Sequence, residues 1–380
     1  MLTSRPPRRR PHGRGRPLAS CLNPLSAPPP ADRILLVRLG ALGDVVRTLP
    51  AASAVRAAYP GAHVAWLVEP ASRGAVEGQP WVDEVLVFPR AELVAALRQL
   101  RLGRFLATLA GCLRALRARR FDLVLDFHAI AKSALLARAS GAPRRLSYAA
   151  PFAREGAGWL ATARARLPAG RLSRFARNLA LVAFLGVPVA PHASPLRVDP
   201  EARRRMREAL GSGVRPIVLH PGTSRATPHK RWSVAGWAAV ARALAAQGET
   251  VLVSHGPAAE ERALAEAIVS ASGGDARLAP ATASVGELAA LLEQARLFLG
   301  SDSGPLHVAS LVGTPVVQLL GPTDPVENAP YPGTPARSVR VPVACSPCRR
   351  GCAAAACMAR IAPADVLAAA RALLAPPGPG

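Results

Sequence analysis

The feature that most constrains the fold is an alternation of short, branched apolar runs with amphipathic helical stretches, which occurs twice along the 380 residues. The first series has its apolar runs at residues 33–39 ("RILLVRL"), 63–68, 82–88 and 121–127. The second has them at residues 216–222 ("PIVLHPG"), 250–256, 296–304 and 315–323. A long Leu/Ala/Arg stretch at about 91–120 predicts one helix region. Strands alternating with helices predict parallel, doubly wound sheets covered on both faces.

A Pro-rich stretch at residues 187–200, "VPVAPHASPLRVDP", separates the two series and is typical of an interdomain linker. The chain also exceeds the size at which one hydrophobic core keeps growing. We therefore predict two Rossmann-like domains, at 31–195 and 196–345. Residues 1–30 are basic and Pro-rich without the apolar segment of a signal peptide, which predicts a disordered tail. A Cys-rich segment and a final helix are predicted at 346–380.

The formal charge of +24 is concentrated in the tail and the first half of the chain. This distribution indicates that the first domain faces an acidic molecule or an anionic membrane surface. An arginine-rich composition without any partner is the alternative. Aromatic residues make up only 4% of the chain and no helix-turn-helix or zinc-finger pattern is present, which disfavours a nucleic-acid partner. No apolar run reaches the roughly 18 residues needed to span a bilayer.

The stretch "GSDSGPLHVAS" at 300–310 has the form of an anion-binding loop. A strand ends at Gly300, a small polar loop follows, and Pro305 occupies the preferred first position of a helix. Ser303 and Gly304 then lie at the helix N-terminus, where free N–H groups and the helix dipole attract a phosphate or pyrophosphate. An ordinary capped helix is the alternative. His307, in the first turn, either faces the phosphates or packs beneath them.

The stretch "HPGTSRATPHKRWS" at 220–233 stands at the corresponding place after the first strand of the second domain. Thr223 and Ser224 offer hydroxyl groups, and Lys230 is one of only two lysines in a chain that otherwise uses arginine. A lysine places its charge on a long flexible stem, which suits a phosphate group that becomes a leaving group. Chance retention of a surface lysine is the alternative.

The stretch "RLGALGD" at 38–44 opens the first domain. Its glycines permit a tight strand-to-helix turn, but the Gly40-x-x-Gly43 spacing differs from the dinucleotide fingerprint and disfavours a dehydrogenase. Asp44 lies at the start of the following helix. It is either an N-cap carboxylate or a general base that projects into the cleft.

Together, "RLGALGDVVRTLPA", "HPGTSRATPHKRWS" and "GSDSGPLHVASLVGTPVVQLLGPTDP" resemble glycosyltransferase family 9, which contains the lipopolysaccharide heptosyltransferases. The resemblance extends from about Arg33 to Leu374. It implies an α/β fold of GT-B architecture, in which an acceptor-binding N-terminal domain and a nucleotide-sugar-binding C-terminal domain face each other across a cleft. It also implies an inverting, metal-independent transfer without a cofactor.

The resemblance assigns roles to individual residues. Asp44 matches the general base of the family, Lys230 its phosphate-binding lysine, and Asp302 the acidic residue of its glycine-rich donor loop. Glu260 or its neighbour Glu261 matches the acid that contacts the donor nucleoside. The other donor-binding residues that the resemblance implies are Thr223, Ser224, Ser303, Gly304, Pro305, Leu306 and His307.

Residues 125–155, "LDFHAIAKSALLARASGAPRRLSYAAPFARE", are similar to a segment of the type I heptosyltransferases. The similarity implies an acceptor site of Gly43, Lys132, Ser133 and Arg154, although His128-Ala129 departs from the usual Gln-Gly. The implied donor is ADP-L-glycero-D-manno-heptose, and the implied acceptor is Kdo-lipid A at the inner face of the inner membrane, reached by a peripheral cytoplasmic enzyme. Transfer of a later core sugar and a non-hydrolysing sugar-nucleotide epimerase remain alternatives.

Four of the six cysteines fall within "CSPCRRGCAAAAC", at positions 345, 348, 352 and 357. Clustered cysteines in a reducing compartment bind metal more often than they form disulfides. The spacing is nevertheless more compact than that of a zinc ribbon. Metal binding, redox chemistry and simple packing all remain open for this cluster.

Overall fold

The computed structural model describes residues 24–168, 170–189, 196–348, 351–352 and 354–375. Most of the segment predicted to be a disordered tail therefore lies outside the described residues. Two six-stranded parallel sheets make up the molecule, one in each half of the chain. The prediction of two Rossmann-like domains in a GT-B arrangement is confirmed.

The N-terminal sheet has the strand order β3-β2-β1-β4-β5-β6. Its strands are β1 (Arg33–Val37), β2 (His63–Val68), β3 (Glu84–Val87), β4 (Leu123–Asp126), β5 (Arg144–Tyr148) and β6 (Ala163–Ala165). Its helices are α1 (Leu42–Val46), α2 (Leu49–Ala58), α3 (Arg90–Arg98), α4 (Leu102–Ala118), α5 (Ala131–Ala139) and α6 (Arg174–Phe184). A 3₁₀ turn at Ala157–Leu160 packs against α5.

The C-terminal sheet repeats the same topology, with the order β12-β11-β10-β7-β8-β9. Its strands are β7 (Ile217–His220), β8 (Val251–Val253), β9 (Arg277–Leu278), β10 (Leu297–Ser301), β11 (Val316–Leu319) and β12 (Ala336–Val339). Its helices are α7 (Pro200–Leu210), α8 (Val234–Ala245), α9 (Ala259–Ala271), α10 (Val285–Gln294), α11 (Gly304–Leu311), α12 (Ala356–Ala359) and α13 (Pro363–Leu374).

The central strands are apolar on both faces because helices cover both sides of each sheet. Strand β1 shows this most clearly, since Ile34 and Leu36 belong to one buried cluster whereas Leu35 and Val37 belong to another on the opposite face. The alternation follows from the two-residue period of a strand. A continuous branched run is therefore the sequence signature of a strand buried on both sides.

Two predicted helices are each divided in the structure. The stretch at 91–120 forms α3 and α4, with Leu100 between them at a φ of 52°. The stretch after "GALGD" forms α1 and α2, and Pro50 occupies the first turn of α2. A proline in that position can start a helix but cannot continue one, because its nitrogen donates no hydrogen bond. Short strands towards the edges of the sheets, such as β6 with the sequence Ala-Arg-Ala, lacked an apolar pattern and were not predicted.

The strand order reverses beside β1 and β4 in the first sheet and beside β7 and β10 in the second. Ligands in doubly wound sheets bind beyond the carboxyl ends of the strands at such switch points. The loops that follow these four strands contain the sequence motifs identified above. In the part of the chain that the structure describes, no helix has the length and apolar character needed to cross a membrane.

Candidate active site

The cleft between the two domains contains two adjoining cavities. The first has a volume of about 740 Å³ and is lined by both domains, with arginine and aromatic side chains predominating on its N-terminal side. The second has a volume of about 650 Å³ and is lined mainly by glycines and small polar residues of the C-terminal domain. The residues that line both cavities are Asp44, Arg174, Thr227, Lys230, Thr323 and Asn328.

Asp44 lies in the first turn of α1, where three arginines surround its carboxylate. The distances to the guanidinium nitrogens are 2.5 Å for Arg38, 2.7 Å for Arg174 and 3.3 Å for Arg47. The N-cap residue of α1 is Ala41, so Asp44 is not the capping residue. Burial alone would raise the pKa of Asp44, but the three arginines outweigh it and hold the pKa well below its ordinary value. The carboxylate is therefore ionised and, in this arrangement, a weak base.

Asp302 lies at the end of β10 and forms a second ionic cluster beside the first. Its carboxylate is 3.0 Å from Arg47 Nη2, 2.9 Å from Lys230 Nζ and 3.3 Å from His307 Nε2. Burial raises its pKa, but the hydrogen bond to His307 and the charges of Arg47 and Lys230 lower it further than burial raises it. Arg47 thus joins the carboxylates of Asp44 and Asp302 across the domain boundary.

His307, in the first turn of α11, is fully buried beneath the loop that ends at Gly304, and it lines neither cavity. Burial, followed by the charge of Arg47, lowers the pKa of His307 to about 4, so the imidazole is neutral near pH 7. Of the two roles open from the sequence, the structure therefore places His307 beneath the loop. The side chain of Leu306 is also fully buried in the apolar core, so only the backbone of Leu306 remains for its predicted part in donor binding.

The N-terminus of α11 faces the N-terminus of α1. A Cβ atom on Gly43 would lie 3.4 Å from Gly304 Cα, and one on Gly304 would lie 3.2 Å from Leu42 Cδ2. Glycine at both positions lets the two helix ends approach closely. Gly43, predicted to bind the acceptor, therefore lines the second cavity together with Asp302, Ser303, Gly304 and Pro305.

Two buried hydroxyl groups in the cleft have no hydrogen-bond partner among the described residues. They belong to Ser303, which lines the second cavity, and Thr323, which lines both cavities. A buried polar group without a partner is costly unless a ligand or water satisfies it. These hydroxyls, together with the free N–H groups at the start of α11, make this end of the second cavity suitable for a phosphate.

The loop after β7 places its hydroxyl groups in the second cavity. The Thr223 hydroxyl donates a hydrogen bond to the Thr227 carbonyl at 2.9 Å, and the Ser224 hydroxyl lies 2.9 Å from that of Thr227. The Arg231 guanidinium donates a hydrogen bond to the Thr223 carbonyl at 3.2 Å, which fixes the conformation of the loop. Thr223, Ser224 and Lys230 all line this cavity, as their predicted donor-binding role requires.

The structure distinguishes the two candidate nucleoside-binding acids. Glu261 lines the second cavity and accepts a hydrogen bond from the Gly256 N–H at 2.8 Å. A Cβ atom would lie 2.2 Å from the Glu261 carboxylate if placed on Gly256 and 3.0 Å if placed on Gly222, so these glycines make room for it. Glu260 lines neither cavity and pairs with Arg225 at 3.2 Å. Of the two acids that the sequence left open, Glu261 is thus the one that lies at the second cavity.

Five arginines give the first cavity its character: Arg38, Arg154, Arg171, Arg174 and Arg177. Arg154 was predicted from the sequence, whereas Arg38, Arg171, Arg174 and Arg177 were not. The guanidinium group of Arg177 lies 5.9 Å from the Tyr148 ring and 5.8 Å from the Phe152 ring. Cationic groups beside aromatic rings suit an acceptor that has both carboxylate or phosphate groups and apolar sugar faces.

Two predicted acceptor residues have other contacts. The Lys132 ammonium lies 2.6 Å from the Glu69 carboxylate and lines neither cavity. Ser133 is fully buried, and its hydroxyl donates to Asp126 at 2.9 Å. Asp126 also accepts the N–H group of His128 at 2.9 Å, so Ser133 and Asp126 shape the loop that carries His128 into the first cavity.

The cysteine segment borders the first cavity through Cys348. Cys345, Cys348, Cys352 and Cys357 are free thiols. Among the described residues, no three His, Cys, Asp or Glu side chains form a group that could hold a metal ion. Cys357 is buried in the core of the C-terminal domain, where it and Met358 pack closely under Gly321. Packing is thus the role that the structure supports for Cys357.

Comparisons with known sequences identify a matching family and similar proteins. The family model of glycosyltransferase family 9 (heptosyltransferase) matches residues 110–358. Lipopolysaccharide heptosyltransferase 3 of Escherichia coli is 27% identical over 297 residues, which are 76% of this chain and 83% of the relative. Lipopolysaccharide heptosyltransferase 1 of Pseudomonas aeruginosa is 29% identical over 305 residues, which are 79% of this chain and 81% of the relative.

Solved structures share the fold. A family 9 glycosyl transferase from Veillonella parvula superposes with a TM-score of 0.70 at 22% identity, over 90% of this chain and 97% of the other. The E. coli heptosyltransferase WaaC with ADP-2-deoxy-2-fluoro heptose superposes with a TM-score of 0.66 at 23% identity, over 82% of this chain and 93% of the other. Since the family model covers more than half of the chain, the protein is a glycosyltransferase that belongs to family 9, the heptosyltransferase family.

Proposed function

We propose that this enzyme transfers a heptose from ADP-L-glycero-D-manno-heptose to the Kdo region of a lipid A-linked lipopolysaccharide core, with inversion at the anomeric carbon. The observation that carries the proposal is that Asp44 and Lys230 both lie where the two cavities meet. A base and a phosphate-binding cation are needed at that junction, because bond formation and leaving-group departure occur at the same carbon. The names of the similar proteins support the heptose and the lipopolysaccharide acceptor.

The second cavity fits the donor. Glu261 would accept hydrogen bonds from the hydroxyl groups of the nucleoside. The diphosphate would lie between Lys230 and the N-terminus of α11, with the hydroxyls of Thr223, Ser224 and Ser303 around it. These groups supply opposing charge and hydrogen-bond donors where negative charge develops as ADP departs.

The first cavity fits an anionic acceptor. Its five arginines would bind carboxyl groups such as those of Kdo, since an arginine can form two parallel hydrogen bonds with one carboxylate. The first half of the chain also has an excess of arginine, and its positive charge would attract an anionic acceptor. We place the enzyme as a peripheral protein at the inner face of the inner membrane, where a lipid-linked acceptor of this kind would be available.

The proposed reaction is a single displacement. The acceptor hydroxyl gives its proton to Asp44 while its oxygen forms a bond to the anomeric carbon of the heptose. The bond from that carbon to the diphosphate oxygen breaks, and ADP leaves with the electron pair. Lys230 exchanges its contact with Asp302 for one with the departing diphosphate, which its flexible stem permits.

Asp44 can act as a base only if its arginines release it. Arg38 and Arg174 both line the first cavity, so the carboxylates or phosphates of the acceptor would compete with Asp44 for them. Losing two positive neighbours raises the pKa of a carboxylate and makes it a better proton acceptor. Acceptor binding would thereby activate the base at the moment when its proton must be removed.

Transfer to a later core sugar is the second candidate. Lys132 and Ser133, the residues that suggested a type I enzyme, line neither cavity. The identity to the E. coli heptosyltransferase 3 is also close to that to the P. aeruginosa heptosyltransferase 1. The epimerase alternative is disfavoured, because the chain belongs to a glycosyltransferase family.

The function is tested by mass spectrometry of Kdo₂-lipid A after incubation with the purified enzyme and ADP-L-glycero-D-manno-heptose. We expect a mass gain of one heptose and release of one ADP for each product molecule. No gain, with ADP-heptose still bound in a parallel titration, would retain the donor and move the acceptor to a later core sugar. Absence of donor binding would overturn the heptose assignment.

Glu261→Gln is expected to weaken ADP-heptose binding about 10- to 10²-fold, because a hydrogen bond from a hydroxyl group to a charged carboxylate contributes about 1.5–3 kcal/mol. Glu260→Gln is the matched control and should leave binding unchanged, since Glu260 lines neither cavity. Isothermal titration with ADP-heptose measures both variants. Equal losses in the two variants would place the nucleoside elsewhere.

A further inference from the structure

The N-terminal domain exposes an unusual number of large apolar side chains on one side. Nine such side chains are exposed among the described residues, and seven of them lie on neighbouring elements of this domain. These elements are α3, α4, α5, the short α3–α4 connection and the 3₁₀ turn at Ala157–Leu160. Together we call them the outer helical layer. They are Val94, Leu97, Leu100, Leu102, Leu106, Leu135 and Trp159. Leu100 is 83% exposed and Trp159 is 87% exposed. Apolar clusters of this kind mark interaction surfaces.

These side chains are not the edge of the domain core. Helix α3 buries Leu93 and Ala96, and α4 buries Leu116; Leu93 and Leu116 belong to the core cluster that includes residues of the N-terminal sheet. The end of α3, the connection and the start of α4 are exposed at every position from 97 to 104 and form the tip of a helical hairpin, whereas Phe105 packs against that cluster. Apolar side chains at such a tip are exposed to water, and burying them against a partner would be favourable in free energy.

Positive charge surrounds the exposed leucines. Residues 90–120 contain eight arginines, with Glu92 as the one acidic residue. Arg98, Arg101 and Arg104 alternate with the leucines at the tip, and all three are exposed. Within the described chain, no ion pair joins any of these three to a carboxylate. On α7, in contrast, Arg204 pairs with Glu201 at 2.7 Å and with Glu208 at 2.8 Å.

The outer helical layer also reaches the rim of the first cavity. Trp159 follows Phe152 and Arg154 in the same loop, and both of those residues line that cavity. A Cβ atom on Gly158 would lie 3.5 Å from Ala153 Cβ, so the turn that presents Trp159 packs directly on this loop. A surface bound by Trp159 would therefore lie beside the entrance of the cavity.

We propose that the outer helical layer docks on the surface of an anionic lipid bilayer, with the leucines at 97–106 among the acyl chains and the arginines on lipid phosphates. Leucines interleaved with arginines suit the boundary between headgroups and acyl chains, where each basic residue is also attracted to anionic lipid. Trp159 suits the same depth, because tryptophan favours the membrane interface. The proposed lipid-linked acceptor gives this docking its purpose, but the docking itself rests on the outer helical layer alone.

The first test is cosedimentation of the full-length protein with vesicles of phosphatidylcholine alone and of phosphatidylcholine mixed with phosphatidylglycerol. We expect binding to the mixed vesicles that weakens at high salt, since salt screens exposed charges. Leu100→Asp combined with Leu102→Asp should lower the partition coefficient by at least about tenfold. The control adds the same charges to exposed positions of α9, Ala263→Asp with Ala267→Asp, and should leave binding unchanged.

A second pair of variants separates attraction by the arginines of the outer helical layer from attraction by the net charge of the protein. Arg98→Gln, Arg101→Gln and Arg104→Gln together should weaken binding by about 10²-fold, at about 1 kcal/mol for each basic residue. Their control is the same change at three exposed arginines of the C-terminal domain, Arg207, Arg277 and Arg360. Equal losses in the two sets would show attraction by net charge alone and would overturn the proposed surface.

The fluorescence of Trp159 can measure how deeply this residue enters the bilayer. The other four tryptophans, Trp66, Trp81, Trp232 and Trp237, are buried, so lipids brominated on their acyl chains should quench chiefly Trp159. We expect quenching that Trp159→Phe removes. Vesicle binding without quenching would assign the attraction to another basic segment and overturn the proposal.

A different outcome is a dimer that the Leu100 and Leu102 changes dissociate, with no lipid binding. That result would make the outer helical layer a contact between two copies and would overturn the proposal. None of these readouts uses turnover, so they can fail while heptose transfer stands, and the reverse also holds.

Discussion

Asp44→Asn is expected to lower kcat by about 10²- to 10⁴-fold, the usual contribution of a positioned general base. The amide keeps the shape of the carboxylate but cannot take a proton, so donor affinity should change little. Rapid-quench assays of heptose transfer and titration with ADP-heptose measure the two effects. Asp83→Asn, which removes an Arg–Asp pair outside both cavities, is the control and should leave turnover unchanged.

The pH dependence of the same reaction tests how Asp44 becomes a base. In the free enzyme the three arginines keep the pKa of Asp44 well below its ordinary value, so it stays ionised throughout an ordinary assay range. The profile of kcat/KM, which reports the enzyme before the acceptor binds, should therefore show no loss from Asp44 towards low pH. In the complex the released carboxylate has a higher pKa, and kcat should fall as pH falls through that value. An acidic limb in neither profile would show that the arginines keep their contacts with Asp44 in the complex.

Asp44→Asn should also destabilise the fold, because the change leaves three buried or partly buried arginines without their shared carboxylate. Removing one partner of a buried ion pair costs about 3–5 kcal/mol. Thermal unfolding of the variant is therefore measured beside its kinetics. Turnover lost only in proportion to the unfolded fraction would argue against Asp44 as the base.

Lys230→Ala is expected to lower kcat by about 10²- to 10³-fold, as removal of one group that stabilises developing negative charge does in other enzymes. The effect should fall mainly on kcat, because the charge of the diphosphate increases as the bond to the sugar breaks. Lys230→Arg should recover only part of the rate, since the planar guanidinium cannot follow the phosphate as the ammonium does.

Arg225→Ala is the matched control for Lys230. It removes a cation from the same loop, but Arg225 lines neither cavity and pairs with Glu260 on the surface. Release of ADP under single-turnover conditions separates chemistry from product release. A rise in KM for the donor with an unchanged kcat would show that Lys230 binds the ground state and transition state equally, and would remove it from the proposed mechanism.

The arrangement of the site explains why both variants should have large effects. Arg47 contacts Asp44 in one domain and Asp302 in the other, and Asp302 in turn holds Lys230. The proposed base and the proposed phosphate-binding cation therefore belong to one connected set of charges. Acceptor and donor would each withdraw cations from a different carboxylate of that set. Turnover would then require both substrates to be in place, which limits futile loss of the activated sugar.

Much of this organisation could be predicted from the sequence because it depends on local patterns. Strands β1 and β7 were predicted because strands buried on both faces appear as branched apolar runs. Asp44 and Lys230 were singled out because each lies in a loop that follows such a run, whereas Asp302 was implied by the resemblance to the family. In a parallel sheet those positions lie at the carboxyl edge, where ligands bind.

Other features were decided by tertiary structure, because they depend on residues far apart in the chain. Arg174 meets Asp44 across 130 positions and Arg47 meets Asp302 across 255, and no local periodicity records such pairs. The choice of Glu261 over Glu260 depends on which face of α9 turns towards Gly222 and Gly256.

The sequence by itself therefore determined the two domains, the topology of their central strands and the loops that hold the chemistry, because periodicity and turn residues act over a few positions. The tertiary structure alone decided which charges neutralise one another and which side chains reach the cavities. Those outcomes depend on how two separately folded sheets and their helices pack, and on the burial that follows from it.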